Sequence, residues 1–463
     1  MTESPKKAII DILFNTSLFR IVYIIDLFLG MFALLEGFSL VLRCIILSWG
    51  ALILIKNFML NKKILDVKYY KILFLFLLSA FFTTVINFHD NLLANLLFIY
   101  HSAICFFVFY GMYVESDIAV IKKEMKFIMK LIIVLTTIAN IIGFVILMFK
   151  VQISVGDYFL GIYLNRFLGI YYNPNLLALS CVLSIVFTHM ILSKKILALE
   201  FKHKYALSFY IGSLIINFAA LILSDSNASF LFLIIYVVVY IFYFLFSQNK
   251  KNSSKTIIKN TIILVCVCIL LSVVGFTMRN NCQDEIATII NNMHQSEEPI
   301  HDNTSLSDNL SIGRSDYEIS SGRIRLLKQA VVIFLNHPVM GIGRGNLVEY
   351  GSRELPYGLA FSDLHNGYAT ILVSYGLVGF IIFLIFTILV ATYMCKNLFN
   401  STDKNGRSPF SALFAIIVSY CIYSLFEKTI LSEITFMVVI FWLIFGYAMT
   451  YLKEFEKPPT CKK

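Results

Sequence analysis

Apolar residues run in long blocks along the chain, broken by short polar segments that are mostly basic. A membrane-spanning helix needs about 20 consecutive apolar residues, so the blocks predict about twelve spans. They fall at residues 18–36, 38–58, 71–88, 92–113, 127–149, 175–193, 205–223, 229–247, 257–278, 367–394, 409–426 and 434–452. Almost nothing separates the first two. The expected fold is all-α integral membrane, with about twelve transmembrane helices and one large outer loop between spans nine and ten. Residues 1–278 would hold spans one to nine, residues 279–366 the loop, and residues 367–463 spans ten to twelve with a tail.

Charge placement tests that count. With Lys6 and Lys7 on the cytoplasmic side, every even-numbered connection should be basic. The connections carry Lys62, Lys63 and Lys68; Lys122, Lys123 and Lys126; Lys194, Lys195, Lys202 and Lys204; Lys250, Lys251 and Lys255; Lys396, Lys404 and Arg407; then Lys453, Lys457, Lys462 and Lys463. Most of the 38 Lys and Arg lie on this side. A missed span would invert every later loop. The expected location is the cytoplasmic membrane, with both termini cytoplasmic.

Two connections on the other side are long, residues 150–174 and residues 279–366. From Arg279 to Ser320 the larger one is rich in Asn, Asp, Glu and Ser and reads as flexible. Its second half is more ordered. Ser320 or Ser321 can cap a helix that runs to about Asn336, where Pro338 stops it. Ile324, Leu327, Val331 and Phe334 make one apolar stripe, with Arg325 and Lys328 off it. Such a helix lies on the membrane surface rather than across it.

Composition agrees. The chain has 463 residues, 59% hydrophobic and 14% charged, with mean hydropathy +0.80. That excludes an ordinary soluble domain, in which about 25% of residues are charged. The net charge of +10 follows the inner connections, which gives no nucleic-acid signal. No small-residue cleavage site follows a short apolar core, so no removed signal peptide is expected. Most of the nine cysteines sit in apolar runs, which argues against a disulfide framework and a metal site.

Cations on the outer side go against the orientation rule, so each needs a reason. The long loop carries Arg279, Arg314, Arg323, Arg325, Arg344 and Arg353. Arginine grips phosphate with two teeth and keeps its charge when partly desolvated. Arg323 falls in the first turn of the predicted helix, where a cation opposes the helix dipole and a bound anion would relieve the conflict. Arg325, Arg344 and Arg353 are weaker candidates of the same kind. Arg166 precedes Asn173-Pro174-Asn175, a helix-start signal with Asn173 as cap. His365, in Asp363-Leu364-His365-Asn366-Gly367-Tyr368, lies at the water–membrane boundary, where it can take a proton from a hydroxyl. Asp363 is near enough in sequence to orient it. Asp225 and Glu427 offer carboxylates on the same side and read mainly as boundary markers. Asn336-His337-Pro338 to Gly341-Ile342-Gly343-Arg344-Gly345-Asn346 is a turn that lets backbone approach something closely; without a preceding strand its glycines are not a dinucleotide fingerprint. Asp26, Glu36 and Arg43 lie in or beside the first spans, where ionisable groups face protein or water.

Together these pieces resemble a family. Arg166, Gly169 and Asn173-Pro174-Asn175, then Ser321-Gly322-Arg323, His337-Pro338, Gly341-Ile342-Gly343, Asn346, His365-Asn366-Gly367-Tyr368, Tyr375-Gly376 and Gly379 resemble the O-antigen polymerase and O-antigen ligase superfamily. The resemblance implies a polytopic membrane glycosyltransferase. Its donor would be a glycan on polyprenyl pyrophosphate, with neither cofactor, nucleotide sugar nor metal. It further implies Arg323 and Arg166 as pyrophosphate ligands and His365 as the base. Arg325, Arg344, Arg353 and Asn175 complete the candidate substrate contacts. Implied partners are the lipid-linked oligosaccharide, membrane lipids, and chain-length regulator and flippase proteins. Two positions depart from the pattern: Ser226-Asn227 stands where the family often has Ser-Arg, and Ser374 replaces an acidic residue before Tyr-Gly. The leading expectation is a polymerase of lipid-linked repeat units, in capsule or O-antigen synthesis. Its rivals are a ligase that moves finished polymer to another acceptor, and an exporter. Exporters show internal pseudo-symmetry and intramembrane charges, whereas here polarity concentrates in one outer loop.

Overall fold

The structure is a computed structural model that describes residues 10–60, 62–115, 117–149, 153–155, 158–193, 204–247, 254–294, 322–400 and 409–456. Arg314, Ser320 and Ser321 lie outside the described residues.

Each predicted span coincides with a helix. In chain order these are α1 Thr16–Leu29, α2 Glu36–Ile55, α3 Tyr70–Ile86, α4 Leu92–Ile104, the short α5 Met112–Glu115, α6 Ile118–Met148, α7 Pro174–Leu192, α8 Lys204–Leu223, α9 Asn227–Ser247 and α10 Ser254–His294. Then come α11 Arg323–Asn336 and α12 Leu347–Glu354 in the long loop, followed by α13 Gly367–Asn400, α14 Pro409–Tyr423 and α15 Phe436–Glu456. Among the described residues 8 helices are long and apolar enough to cross a membrane, and α3, α14 and part of α10 are shorter apolar helices. The fold is all-α and polytopic.

The long connections cluster at one end of the bundle, here called the loop end. At the opposite, basic end Lys122 pairs with Glu454 at 2.7 Å, and Lys68 sits over the Tyr393 ring. Toward that end Arg20 and Glu124 form a two-toothed ion pair deep between α1 and α6. Asp26 and Arg43 meet at 3.4 Å between α1 and α2.

The 150–174 connection departs from helix. It forms a three-stranded antiparallel sheet, β1 Ile153–Val155, β2 Tyr158–Tyr163 and β3 Arg166–Gly169. β3 docks on α6, where the Phe167 and Phe144 rings stack at 5.1 Å and Gly169 lies against Gly143. Side chains on either glycine would push the strand away, so this close approach fixes where Arg166 starts. Asn173 then caps α7 by accepting from the Asn175 amide, with Pro174 in the first position, as the sequence predicts.

The long loop differs from expectation in three places. First, α10 runs unbroken to His294, so residues 279–294 are helix rather than flexible chain, and no break falls at 278. Second, α11 spans the predicted residues, but the cap is Gly322, whose φ of +76° suits a residue without Cβ. Third, the stripe Ile324, Leu327, Val331 and Phe334 is not the packed face. Leu326, Ala330 and Ile333 are buried, the last two against Ile342, Leu347, Leu364 and Val373, whereas Ile324, Leu327 and Val331 are exposed and Phe334 packs partly against the same cluster. The helix has two apolar faces, and periodicity alone does not say which one meets protein.

The glycine turn approaches the broken part of α13. Gly376 has φ +62° and ψ −168°, which interrupts the helix. The orphaned carbonyls of Val373 and Ser374 accept from the amides of Ile342 (3.2 Å) and Gly343 (2.8 Å). The freed amides of Leu377 (2.8 Å) and Val378 (3.1 Å) donate to the carbonyls of Pro338 and Val339. The turn thus replaces the backbone partners that the break removes. A Cβ on Gly376 would collide with the Val339 carbonyl.

Candidate active site

Four elements meet at the loop end: the start of β3 with the first turn of α7, the first turn of α11, the segment before α13, and the turn between α14 and α15. The α13 start is fastened to the α14 end. The Gly367 amide donates to the Ser424 carbonyl at 2.7 Å, and Asn366 Nδ2 donates to the Leu425 carbonyl at 3.0 Å. Past α14 the chain turns back, with the Glu427 amide on the Tyr423 carbonyl at 3.1 Å. This brings His365 and Glu427 together although 62 residues separate them.

Glu427 is the hub. Its Oε1 accepts from Asn175 Nδ2 at 2.8 Å and from Arg323 Nη2 at 3.2 Å. Its Oε2 accepts from His365 Nδ1 at 3.1 Å. Arg166 reaches the same hub through Asn175, donating from Nη2 to Oδ1 at 2.7 Å, while its Nε donates to the Ser224 carbonyl at 2.9 Å. Arg323 Nε also donates to the Phe426 carbonyl at 3.1 Å. The carboxylate beside the first turn of α11 offsets the dipole conflict expected of Arg323.

A second branch leaves His365. Asp363 Oδ1 accepts from the His365 amide at 2.8 Å, a local turn that orients the ring as the sequence suggested. His365 has φ +44°, a left-handed conformation costly for a side chain this size. Asp363 Oδ2 pairs with Lys428 at 3.0 Å, and Lys428 pairs with Glu433 at 3.0 Å. Glu433 in turn accepts from Arg344 Nε at 2.8 Å. One chain of contacts therefore runs from Arg166 to Arg344, carrying four permanent cations, three carboxylates and one histidine.

Burial works to lower the His365 pKa. The hydrogen bond and charge of Glu427, then the charge of Asp363, outweigh it against the opposing pull of Arg323, so the value lies above the ordinary 6.5. Burial likewise works to raise Asp363, and Lys428 with His365 overcomes it, holding that carboxyl below its ordinary range. With Nδ1 held by carboxylates, Nε2 is the nitrogen left to take a proton. The side chains of Arg323, Glu427 and His365 are 24%, 13% and 22% exposed, so the hub is desolvated but open to a ligand.

Of the residues singled out from sequence, Arg166, Asn175, Arg323 and His365 meet at this hub. Arg344 joins it at the far end, buried and engaged by Glu433, with its guanidinium 5.4 Å from the Phe98 ring centre. Arg325 is exposed on α11 and has no ion pair among the described residues. Arg353 lies elsewhere, paired with Glu349 and, at 3.3 Å, with Asp90. The structure does not bring Arg325 or Arg353 to the hub, because each projects from its helix away from the turn after α14. His337 ends α11 and pairs with Glu354 at 2.5 Å. Asp225 pairs with Arg279 at 3.3 Å, and the Arg279 guanidinium also donates to Asn227, at the position where the family often carries an arginine.

Reading sequence alone underrates Glu427 and overlooks Glu433, and it sees Lys428 only as a neighbour of Glu427. A signal was available: the turn Phe426-Glu427-Lys428-Thr429-Ile430-Leu431-Ser432-Glu433 packs three charges into a short connection between apolar runs.

The fold is that of a multi-pass membrane protein, with this polar centre at one end of the bundle. Residues 212–384 match the family model described as O-Antigen ligase. The resemblance to the O-antigen polymerase and ligase superfamily holds over that segment, which includes Arg323, Arg344 and His365. Arg166, Asn175 and Glu427 lie outside it and join the site through the fold. No curated protein matches the chain.

Proposed function

We propose that this protein polymerises lipid-linked oligosaccharide repeat units, transferring the growing glycan from polyprenyl pyrophosphate to the next lipid-linked repeat. One observation carries the reading: cations and a histidine chosen from distant parts of the sequence converge on one half-open hub at the loop end. Arg323 and Arg166 would hold the pyrophosphate, and their charge would stabilise it as a leaving group in a partly dry site. His365 Nε2 would take the proton of the attacking hydroxyl. That hydroxyl oxygen forms the new bond to the anomeric carbon as the bond to phosphate breaks, and the electron pair leaves with the polyprenyl pyrophosphate. Arg344, already engaged by Glu433, would contribute through the electrostatics of the far branch.

The second reading is a ligase that transfers finished polymer to a lipid or wall acceptor, and the description of the matched family favours it. An exporter is the third. The size distribution of lipid-linked glycan in cells lacking the protein separates them. Single repeat units accumulating on the outer leaflet support the polymerase. Long chains stranded on the lipid support the ligase, and single units held on the inner leaflet support the exporter. His365→Ala and Arg323→Ala should each cut product by a factor of about 10²–10⁴ at normal protein level. Full-length polymer from either variant removes that residue from the mechanism.

A further inference from the structure

Glu427 gives its two oxygens to different tasks. Oε1 faces Arg323 and Asn175, whereas Oε2 faces His365. The groups that face His365 are Glu427 from the turn after α14, Asp363 from its own segment and Arg323 from α11, with the Phe361 ring 5.6 Å away. Lys428 acts on it through Asp363.

From this we propose that Glu427 is a positioning residue that couples donor binding to the strength of the His365 base. The proposal rests on the function proposed above. In the ligand-free arrangement Arg323 partly neutralises Glu427 and also opposes a positive charge on His365. A pyrophosphate offers several charged oxygens, so it competes well for a guanidinium that Glu427 holds by one contact at 3.2 Å. Once Arg323 turns its charge to the donor, Glu427 is less compensated, and in a half-buried site that change is felt strongly at Nδ1. Both effects have one sign: the imidazole becomes a stronger base when the donor is in place. Glu427 also keeps the proton on Nδ1, so Nε2 is free to accept the hydroxyl proton. Acceptor activation then waits for donor binding without any large movement of the chain.

The test is the pH profile of chain extension by full-length purified protein, with a synthetic polyprenyl-pyrophosphate oligosaccharide as donor and saturating acceptor. With acceptor saturating, the profile of kcat/KM for donor reports the donor-free enzyme, and that of kcat reports the donor-bound enzyme. In the wild type the kcat midpoint should lie at higher pH than the kcat/KM midpoint. Glu427→Gln should move both midpoints to lower pH and narrow the gap, because the donor can then act only by its own charge and by drawing Arg323 away from His365, with no carboxylate released at Nδ1. It should also lower kcat by about 10–100-fold, the usual cost of losing a partner that orients a histidine. Donor KM should stay level or fall, since Arg323 is released. Glu427→Asp, which keeps the charge, should retain the gap and serves where the glutamine variant folds poorly.

An unchanged gap in Glu427→Gln, or a raised donor KM with kcat intact, overturns the coupling and makes Glu427 structural. His365→Gln separates the two levels. If it extends chains at the wild-type rate, the base reading itself fails. If it is inactive while Glu427→Gln keeps the wild-type gap, only the coupling fails.

Discussion

Charges are buried at both ends of this bundle, and they are arranged on opposite terms. Toward the basic end Arg20 and Glu124 form a closed pair. Arg20 Nε and Nη2 take both carboxylate oxygens at 2.9 and 2.7 Å, and Nη1 donates to the Val108 carbonyl at 3.1 Å. Tyr447 supplies a further hydrogen bond to Glu124, and the two charged side chains are 0% and 1% exposed. At the loop end Arg323 meets Glu427 through one nitrogen at 3.2 Å, and the two side chains are 24% and 13% exposed. A saturated pair leaves nothing for a ligand to win. A hub that shares one carboxylate among several partly exposed groups can exchange partners. Geometry and access, rather than charge alone, separate a strut from a site.

Volume-matched replacement of each pair gives the largest contrast. Arg323→Met with Glu427→Leu should abolish extension, a loss of about 10³-fold or more, because it removes a donor contact and the partner of the base. Arg20→Met with Glu124→Leu should leave activity near wild type, since well-packed apolar residues often replace a buried pair at no net cost. Breaking the inner pair is a different matter. Arg20→Ala alone leaves Glu124 buried without its cation and should cost about 3–5 kcal/mol, read as loss of folded protein or a lower unfolding temperature. If Arg20→Met with Glu124→Leu kills activity in a folded protein, the inner pair is more than a strut.

A smaller effect sharpens the contrast through pH. The folded pKa of His365 lies above its ordinary 6.5. The stability from its protonated form is therefore fully present below about 6.5 and is lost as pH rises through the folded value. Activity runs the other way, because only the neutral ring accepts a proton. Chain extension should rise over the same interval in which thermal stability declines slightly. His365→Gln should flatten the stability change, and Arg20 variants should not move it. Parallel rises in activity and stability across that interval would contradict the role of His365.

How much of this was legible in the sequence divides along the same line. Hydropathy finds the twelve apolar runs because a bilayer imposes one requirement on every span, and each run is a helix here. The Asn173 cap and the end of α11 before Pro338 follow from local rules of the same kind. Arg166, Arg323 and His365 could be singled out because each is unusual where it stands, cation or histidine beside a membrane on the less basic side, whereas Asn175 entered with the Asn173-Pro174-Asn175 motif. What holds them together was not legible. Glu427 follows a span like any boundary residue, and it becomes the hub only because the α14 turn meets the start of α13. Arg20 was lost inside an apolar run, since its partner lies 104 residues away. The break at Gly376 is invisible for a similar reason. It is tolerable only because the Pro338–Gly343 turn supplies the missing backbone partners, and no local pattern announces that meeting.

The smallest effect is expected at Arg353, which by residue type and position looked as good a phosphate ligand as Arg344. Its side chain is 53% exposed and pairs along its own helix with Glu349 and across to Asp90. Contacts of that kind are screened by water and salt, and they contribute little. Arg353→Ala should therefore change extension by no more than about twofold, against the far larger loss at Arg323. Two arginines of one outer loop would then differ because one faces the turn after α14 and the other faces solvent. Should Arg353→Ala instead stop extension in a folded protein, the substrate must reach across α12 to Asp90. The Glu427 hub would then be one half of a longer groove.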